Sequence, residues 1–194
     1  MRIVLLGAPG SGKGTQAALL QERFSVPHIS TGVLLRQAVH EQSELGLKAK
    51  AVMDKGELVS DELMLGLIGD RLAQPDAACG FILDGYPRNL SQAEALDALL
   101  ERISHPVDEA LQIDIDPEQI VLRIVKRAAE EGRSDDSEQV VRNRLRVYQE
   151  QTAPVIDYYA ERGVLTRVLG EGSVQEVNER INSILAPEVR GAVG

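Results

Sequence analysis

The sequence is poor in aromatic residues and in cysteine. It contains no tryptophan, two phenylalanines and four tyrosines, so it offers little surface for stacking the bases of a single-stranded nucleic acid. A single cysteine, Cys79, excludes an internal disulfide and a zinc site built from several cysteines. We therefore expect a reduced protein without structural zinc, in which Cys79 is a packed and inert thiol.

Basic residues are also fewer than acidic residues. With 21 Lys and Arg against 30 Asp and Glu, the formal net charge is −9. Proteins that bind nucleic-acid backbones or anionic membranes use net positive charge, so both kinds of partner are disfavoured. No apolar run has the length of a membrane span, and the apolar start Met1–Leu6 is too short for a signal peptide. These features predict a cytoplasmic globular protein.

Short apolar runs alternate with segments of helical period, and this alternation predicts the fold class. Strands separated by helices form parallel sheets through right-handed crossovers, with helices on both faces. The sequence therefore predicts a three-layer α/β domain. The predicted strands are Ile3–Leu6, Pro27–Ser30, Phe81–Leu83, Ala110–Ile115 and Val164–Leu169.

Two segments depart from the alternation. Residues 31–73 have helical periodicity without a strand, and Gly46 and Gly56 interrupt it, so this segment is predicted to be an inserted helical lobe. Residues 129–137 are polar and are predicted to form an exposed loop between two helices.

The segment Gly7-Ala8-Pro9-Gly10-Ser11-Gly12-Lys13-Gly14-Thr15 lies between the first strand and the first helix, where a phosphate-binding loop belongs. Glycines allow backbone N–H groups to face a phosphate, and the helix N-terminus adds donors and a favourable dipole. Lys13 is predicted to reach the β- and γ-phosphates, and Thr15 to help hold Mg²⁺. The alternative is a plain glycine-rich turn between strand and helix. The motif alone does not identify the reaction.

A second motif, Phe81-Ile82-Leu83-Asp84-Gly85-Tyr86-Pro87-Arg88, ends an apolar strand with an acid, a turn and an arginine. Parallel sheets bind ligands at the carboxyl ends of their strands. Asp84 is therefore a candidate for orienting Mg²⁺ through water, and Arg88 for binding a second phosphate. The alternative is an ordinary strand-to-helix turn with a capping acid.

A third group of candidates is the cluster of basic residues between positions 123 and 146, where basic residues outnumber acidic ones. Arg123 and Arg127 share one helix face at i and i+4, and Arg133 lies in the polar loop. Arg142, Arg144 and Arg146 follow on the next helix. The alternative is a solvated helix pair of mixed charge.

Together these motifs resemble the adenylate kinase family over nearly the whole chain. Glycine after the lysine of the phosphate loop, with Thr15 next, is the form that this family uses. The matching segments are Gly7–Thr15, Ile29–Gly32 with Arg36, Gly56–Val59, Asp84–Arg88 with Gln92, Arg133–Asp136, Arg142–Leu145 with Tyr148, and Thr152–Pro154.

The resemblance implies reversible phosphoryl transfer from Mg·ATP to AMP, giving two ADP and balancing the adenine nucleotides. It implies one core domain, residues 1–194, with an AMP-binding lobe at 30–59 and a short lid at 127–137, in a monomeric protein. It also implies a cis Tyr86–Pro87 bond.

The resemblance carries family roles to matching positions. The residues implied for ATP are Gly10, Ser11, Gly12, Lys13, Gly14, Thr15, Arg123, Arg127 and Gly172, with Mg²⁺ near Asp84 and Thr15. Those implied for AMP are Thr31, Arg36, Glu57, Leu58, Val59, Gly85, Tyr86, Pro87, Arg88, Gln92, Arg133 and Arg144. Those implied for catalysis are Lys13, Arg88, Arg127, Arg133 and Arg144, and the basic side chains are expected to converge on one cleft.

Two other functions are possible. A UMP/CMP kinase would share the fold, the short lid and the chemistry, although Thr31 and Gln92 favour adenine. A non-catalytic ATP-binding scaffold would need the phosphate loop but not the second set of arginines. His28, His40 and His105 have no metal-ligand spacing and are interpreted as surface or turn residues, without a His–Asp pair for catalysis.

Overall fold

Five parallel strands form one sheet in the order β2-β3-β1-β4-β5. The computed structural model describes residues 1–116, 118–120, 123–124 and 138–185. Each predicted strand agrees with an observed strand to within one residue at either end. The strands are β1 (Arg2–Leu6), β2 (His28–Ser30), β3 (Phe81–Asp84), β4 (Glu109–Asp114) and β5 (Leu165–Leu169).

Helices cover both faces of the sheet, which confirms the predicted three-layer α/β fold. Residues 118–120 and 123–124 are also helical, and a π-helical turn occupies Tyr148–Thr152. The helices that we number are α1 (Lys13–Phe24), α2 (Thr31–His40), α3 (Glu44–Met53), α4 (Asp61–Leu72), α5 (Leu90–Arg102), α6 (Glu138–Val147), α7 (Pro154–Glu161) and α8 (Val174–Ile184).

The central strand β1 shows why the sheet needs cover on both sides. Ile3 and Leu5 belong to the apolar cluster formed with α1 and α8, whereas Val4 and Leu6 belong to the cluster formed with α4, α5 and α7. All four side chains are buried. Burial of one such side chain contributes about 1.5–3 kcal/mol, so a continuous apolar run stabilises a strand only between two helical layers.

Residues 31–73, all of which the structure describes, contain three helices and no strand. The prediction that Gly46 interrupts this segment is wrong. The chain turns at Glu41–Ser43, and Gly46 lies inside α3, where its backbone N–H donates to Ser43 Oγ at the start of the helix. A Cβ at Gly46 would lie only 2.0 Å from the carbonyl oxygen of Ala38, so glycine is needed for the close packing of α3 on α2.

Two further expectations about single residues are corrected. Cys79 is exposed rather than packed, because it lies in the surface turn just before β3. His28 is neither a surface nor a turn residue, since it begins β2, with its side chain about four-fifths buried. Within the described residues, no helix is both long and apolar enough to cross a bilayer.

Candidate active site

A cavity of about 930 Å³ opens at the carboxyl end of the sheet, and we call it the cleft. It lies where β1 has β3 on one side and β4 on the other, so that the connections leave in opposite directions. Such a switch point is where open α/β sheets bind ligands. Segments following β1, β2, β3 and β5 line the cleft, together with part of α6 and of the π-helical turn.

The phosphate loop lines one side of the cleft and ends in the N-terminus of α1. Gly12 caps this helix in the left-handed conformation, and the Lys13 ammonium donates to the carbonyl oxygens of Gly7 at 2.7 Å and Ala8 at 2.9 Å. Gly10 has φ 81°, and a Cβ there would lie 2.7 Å from Ile124 Cγ1. The loop is therefore closely packed from behind, and it leads into a helix N-terminus, a structure that favours the binding of anions.

Asp84 ends β3 beside the phosphate loop, and a Cβ at Gly14 would lie 3.6 Å from its Oδ2 atom. The Asp84 side chain is 14% exposed, and its Oδ2 lies 3.4 Å from His28 Nε2. Burial raises the pKa of Asp84, but the imidazole of His28 and the charges of Lys13 and Arg88 outweigh it and hold the pKa below its ordinary value. The carboxylate is therefore ionised at neutral pH. The sequence alone does not predict that His28 lies beside Asp84.

Hydrogen bonds of both its backbone and its side chain hold Arg88 in place. The Arg88 N–H donates to Gln92 Oε1 at 2.8 Å, and the Arg88 carbonyl accepts a hydrogen bond from Thr152 Oγ1 at 2.8 Å. Its Nε donates to the carbonyl of Gly85 at 2.7 Å. The Tyr86–Pro87 peptide bond just before Arg88 is cis, as predicted. These contacts fix where the guanidinium enters the cleft.

Basic side chains from separate parts of the chain meet in the cleft. Lys13, Arg36, Arg88, Arg123 and Arg144 all line it. Such a concentration of positive charge in a protein of net charge −9 attracts polyanionic ligands into this region. The other two basic residues predicted to converge here, Arg127 and Arg133, and the predicted lid at 127–137 lie outside the described residues.

A smaller compartment, which we call the side pocket, extends beneath α2. Arg36, Arg88 and Arg144 line both the side pocket and the cleft, so the two compartments share a basic boundary. The remaining wall is mostly apolar, with Gln92 as a buried polar group. The residues lining the side pocket are Thr31, Gly32, Leu35, Arg36, Met53, Gly56, Glu57, Leu58, Val59, Met64, Gly85, Tyr86, Arg88, Gln92 and Arg144.

The predicted site residues line the two compartments, and five of those predicted for AMP line both: Arg36, Leu58, Gly85, Arg88 and Arg144. The residues predicted for ATP that the structure describes line the cleft: Gly10, Ser11, Gly12, Lys13, Gly14, Thr15, Arg123 and Gly172. Of the residues predicted for AMP, all those described line the side pocket except Pro87, which lines the cleft. Arg123 also donates to the carbonyl of Gly170 at 3.1 Å, which ties it to the loop that contains Gly172.

Sequence reasoning missed Gln16, a buried polar residue that also lines the cleft. Its Nε2 donates to the carbonyl of Val174 at 3.0 Å, and its Oε1 accepts from Asn178 Nδ2 at 3.0 Å. Gln16 thereby attaches the first turns of α1 to the start of α8, next to Gly172. The sequence signal for a buried Gln16 is its place directly before Ala17, which is itself buried.

Comparison with known proteins agrees with this geometry. The sequence profile of a family described as "Adenylate kinase" matches residues 5–164. An adenylate kinase of Xanthomonas campestris pv. campestris (strain 8004) is 59% identical over 185 residues, covering 95% of this chain and 99% of the relative. One from Stenotrophomonas maltophilia (strain R551-3) is 57% identical over 181 residues, covering 93% of this chain and 97% of the relative.

Proposed function

Because the chain belongs to the adenylate kinase family, and is therefore a phosphotransferase acting on adenine nucleotides, we propose that ATP binds along the phosphate loop and AMP in the side pocket. One observation carries this assignment. The two compartments meet at Arg36, Arg88 and Arg144, with Lys13 in the same cleft. The phosphates of both nucleotides then lie among the same positive charges.

The arrangement suits direct transfer between two phosphates. The attacking group is a phosphate oxygen of AMP, which is already deprotonated at neutral pH, so no general base is needed and the His28–Asp84 pair has no such task. The transition state is loose, with negative charge spread over the equatorial oxygens of the transferred group. Lys13, Arg88 and Arg144 offset the repulsion between the two phosphate chains and stabilise that charge.

Oxygen ligands for Mg²⁺ are available where the β- and γ-phosphates would lie. The ionised Asp84 carboxylate and the Thr15 hydroxyl both line the cleft, and Mg²⁺ prefers oxygen ligands and retains several waters. These residues fit the metal, and we propose that Asp84 orients it through water, with Thr15 nearby. When bound, Mg²⁺ neutralises charge on the phosphate oxygens of ATP.

Substitution of Asp84 tests this role. We expect Asp84→Asn to raise the Mg²⁺ concentration for half-maximal activity by about 10–100-fold, because a neutral amide is a poorer acceptor for metal-bound water. The measurement is the rate of ADP formation against free Mg²⁺ at fixed ATP, with chelation by EDTA as the zero point. Asp76→Asn is the control, since Asp76 forms an exposed ion pair with Arg71 on α4. An unchanged Mg²⁺ dependence in Asp84→Asn would contradict the assignment.

We also propose that residues 30–59 close over AMP and residues 127–137 over ATP. Closure of both segments would exclude water, which would otherwise compete with AMP for the γ-phosphate. Arg127 and Arg133 would enter the site with the second segment. We further propose a monomer in the cytoplasm that acts on ATP, AMP and ADP. The net charge of −9 argues against nucleic acid and anionic membranes as partners.

The choice of acceptor separates the proposal from its alternatives. With ATP and Mg²⁺, we expect AMP to be preferred over CMP, UMP and GMP by at least about 100-fold in kcat/KM, because a site that hydrogen-bonds a base strongly rejects analogues that leave its polar groups unpaired. Production of the diphosphate is followed for each acceptor by a coupled assay. A preference for CMP or UMP would identify a pyrimidine nucleotide kinase. Binding of ATP without formation of ADP from AMP would indicate a scaffold.

A further inference from the structure

The amide of Gln92 is hydrogen-bonded at both of its ends. Gln92 is 2% exposed and lines the side pocket. Its Nε2 donates to Asp61 Oδ1 at 2.8 Å, and its Oε1 accepts from the backbone N–H of Arg88 at 2.8 Å. A partner that only accepts therefore faces the nitrogen, and a partner that only donates faces the oxygen.

Asp61 is itself fixed in place by a second contact. Asn89 Nδ2 donates to the same Oδ1 atom at 3.0 Å, while Asn89 Oδ1 accepts from the backbone N–H of Gln92 at 2.8 Å and caps α5. Asp61 is the first residue of α4, so the contact spans two helices that are distant in sequence. The carboxylate is consequently presented to Gln92 in one position.

These contacts oppose rotation of the Gln92 amide by 180°. Rotation would place Oε1 against the Asp61 carboxylate and the NH₂ group against the Arg88 N–H. Two hydrogen bonds in a buried site would then be replaced by one contact between two acceptors and one between two donors. Among the described residues, the two bonds leave one N–H and one lone pair of the amide without a partner. The site thus offers a ligand one donor and one acceptor in a fixed order.

Purine bases differ in the order of these groups on the edge that carries positions 1 and 6. A 6-amino purine presents an N–H donor at position 6 and an acceptor at N1, whereas a 6-oxo purine presents an acceptor at position 6 and an N–H donor at N1. An amide that could rotate would pair with either base. An amide fixed in one orientation pairs well with only one of them.

We propose that Asp61 is a positioning residue that sets the base specificity of the acceptor site by fixing the orientation of the Gln92 amide, so that 6-amino purines are accepted and 6-oxo purines rejected. This inference depends on the proposed binding of AMP in the side pocket with its base at Gln92. Asp61 acts through Gln92 and need not touch the nucleotide.

The test compares AMP with IMP, whose bases differ only at position 6 and in the proton at N1. Asp61→Asn keeps the size of the side chain but removes the carboxylate, so rotation of the Gln92 amide no longer places Oε1 against a negative charge and is opposed mainly by the Arg88 N–H. We expect the AMP-to-IMP ratio of kcat/KM to fall about tenfold, through a lower KM for IMP, with the KM for ATP unchanged. Glu62→Gln, which removes the neighbouring charge in the same helical turn, should leave the ratio at the wild-type value.

Two more variants separate the possible failures. Asn89→Ser retains an oxygen to cap α5 but loses the amide that fixes Asp61, and it should lower the ratio in the same direction. An unchanged ratio in both Asp61→Asn and Asn89→Ser overturns the proposal. Gln92→Leu should remove most of the discrimination. If Gln92→Leu keeps the wild-type ratio, the base does not lie at Gln92, and the proposed placement of AMP fails instead.

Discussion

Replacing Arg88 by alanine is expected to lower kcat/KM for AMP by about 10³-fold, which corresponds to about 4 kcal/mol of lost transition-state stabilisation. Arg88 lies at the boundary of the cleft and the side pocket, where we propose that the phosphate of AMP and the γ-phosphate of ATP meet. Its contacts with Gln92 and Thr152 use backbone atoms, which alanine retains. The loss should therefore appear in steady-state kinetics while the thermal midpoint moves by only a few degrees.

Arg71→Ala is the control for Arg88→Ala, because Arg71 forms an ion pair with Asp76 away from the cleft. It should leave kcat/KM unchanged. Arg88→Lys is informative as well, since lysine keeps the charge but loses the forked geometry that binds two phosphate oxygens at once. We expect it to recover only part of the activity. Near-normal kcat/KM in Arg88→Ala would remove this residue from the reaction.

Substitution of Lys13 by methionine is expected to have an effect of similar size, about 10³-fold in kcat. Methionine keeps the unbranched stem and removes the ammonium group, which donates to the carbonyls of Gly7 and Ala8 in this structure. Hydrogen bonds made by a charged group contribute about 1.5–3 kcal/mol each, so the loss of stability can be as large as the expected kinetic loss of about 4 kcal/mol. The two effects are distinguished by measuring kcat and the free energy of unfolding on the same sample.

The control for Lys13 is Lys50→Met, since Lys50 pairs with Asp54 on the exposed surface of α3. It should retain wild-type kcat. Should the unfolded fraction of Lys13→Met account for its whole loss of kcat, the ammonium would serve only to hold the loop in shape. A loss of kcat that persists when the protein is fully folded supports its role at the transferred phosphate.

The strands and the phosphate loop could be predicted because their signals are local. An apolar run such as Ile3–Leu6 can be buried on both sides only within a sheet that is covered by helices on both faces. The glycines between this run and Lys13 identify the turn that follows the strand. The same holds for the turn after Asp84. In each case one short segment contains both the structural signal and the chemical one.

Features that depend on long-range pairing could not be predicted. His28 lies beside Asp84 because the register of β2 against β3 pairs Ser30 with Asp84, and no local pattern contains that register. Asp61 reaches Gln92 only after α4 and α5 have packed together. Gly46 is a third case, because glycine interrupts some helices but permits close packing in others, and only the contact with Ala38 distinguishes the two.

The π-helical turn at Tyr148–Thr152 determines how far α6 is rotated about its own axis relative to α7. The N–H of Ala153 bonds to the carbonyl of Tyr148, five residues back, which places one more residue in the turn than an α-helix would hold. Deleting one residue here would restore α-helical spacing and rotate α6 by about 100° relative to α7. Arg144 would then face away from the cleft, even though every basic side chain was still present. The active site is therefore encoded partly by the number of residues in this turn, and not by their chemistry alone.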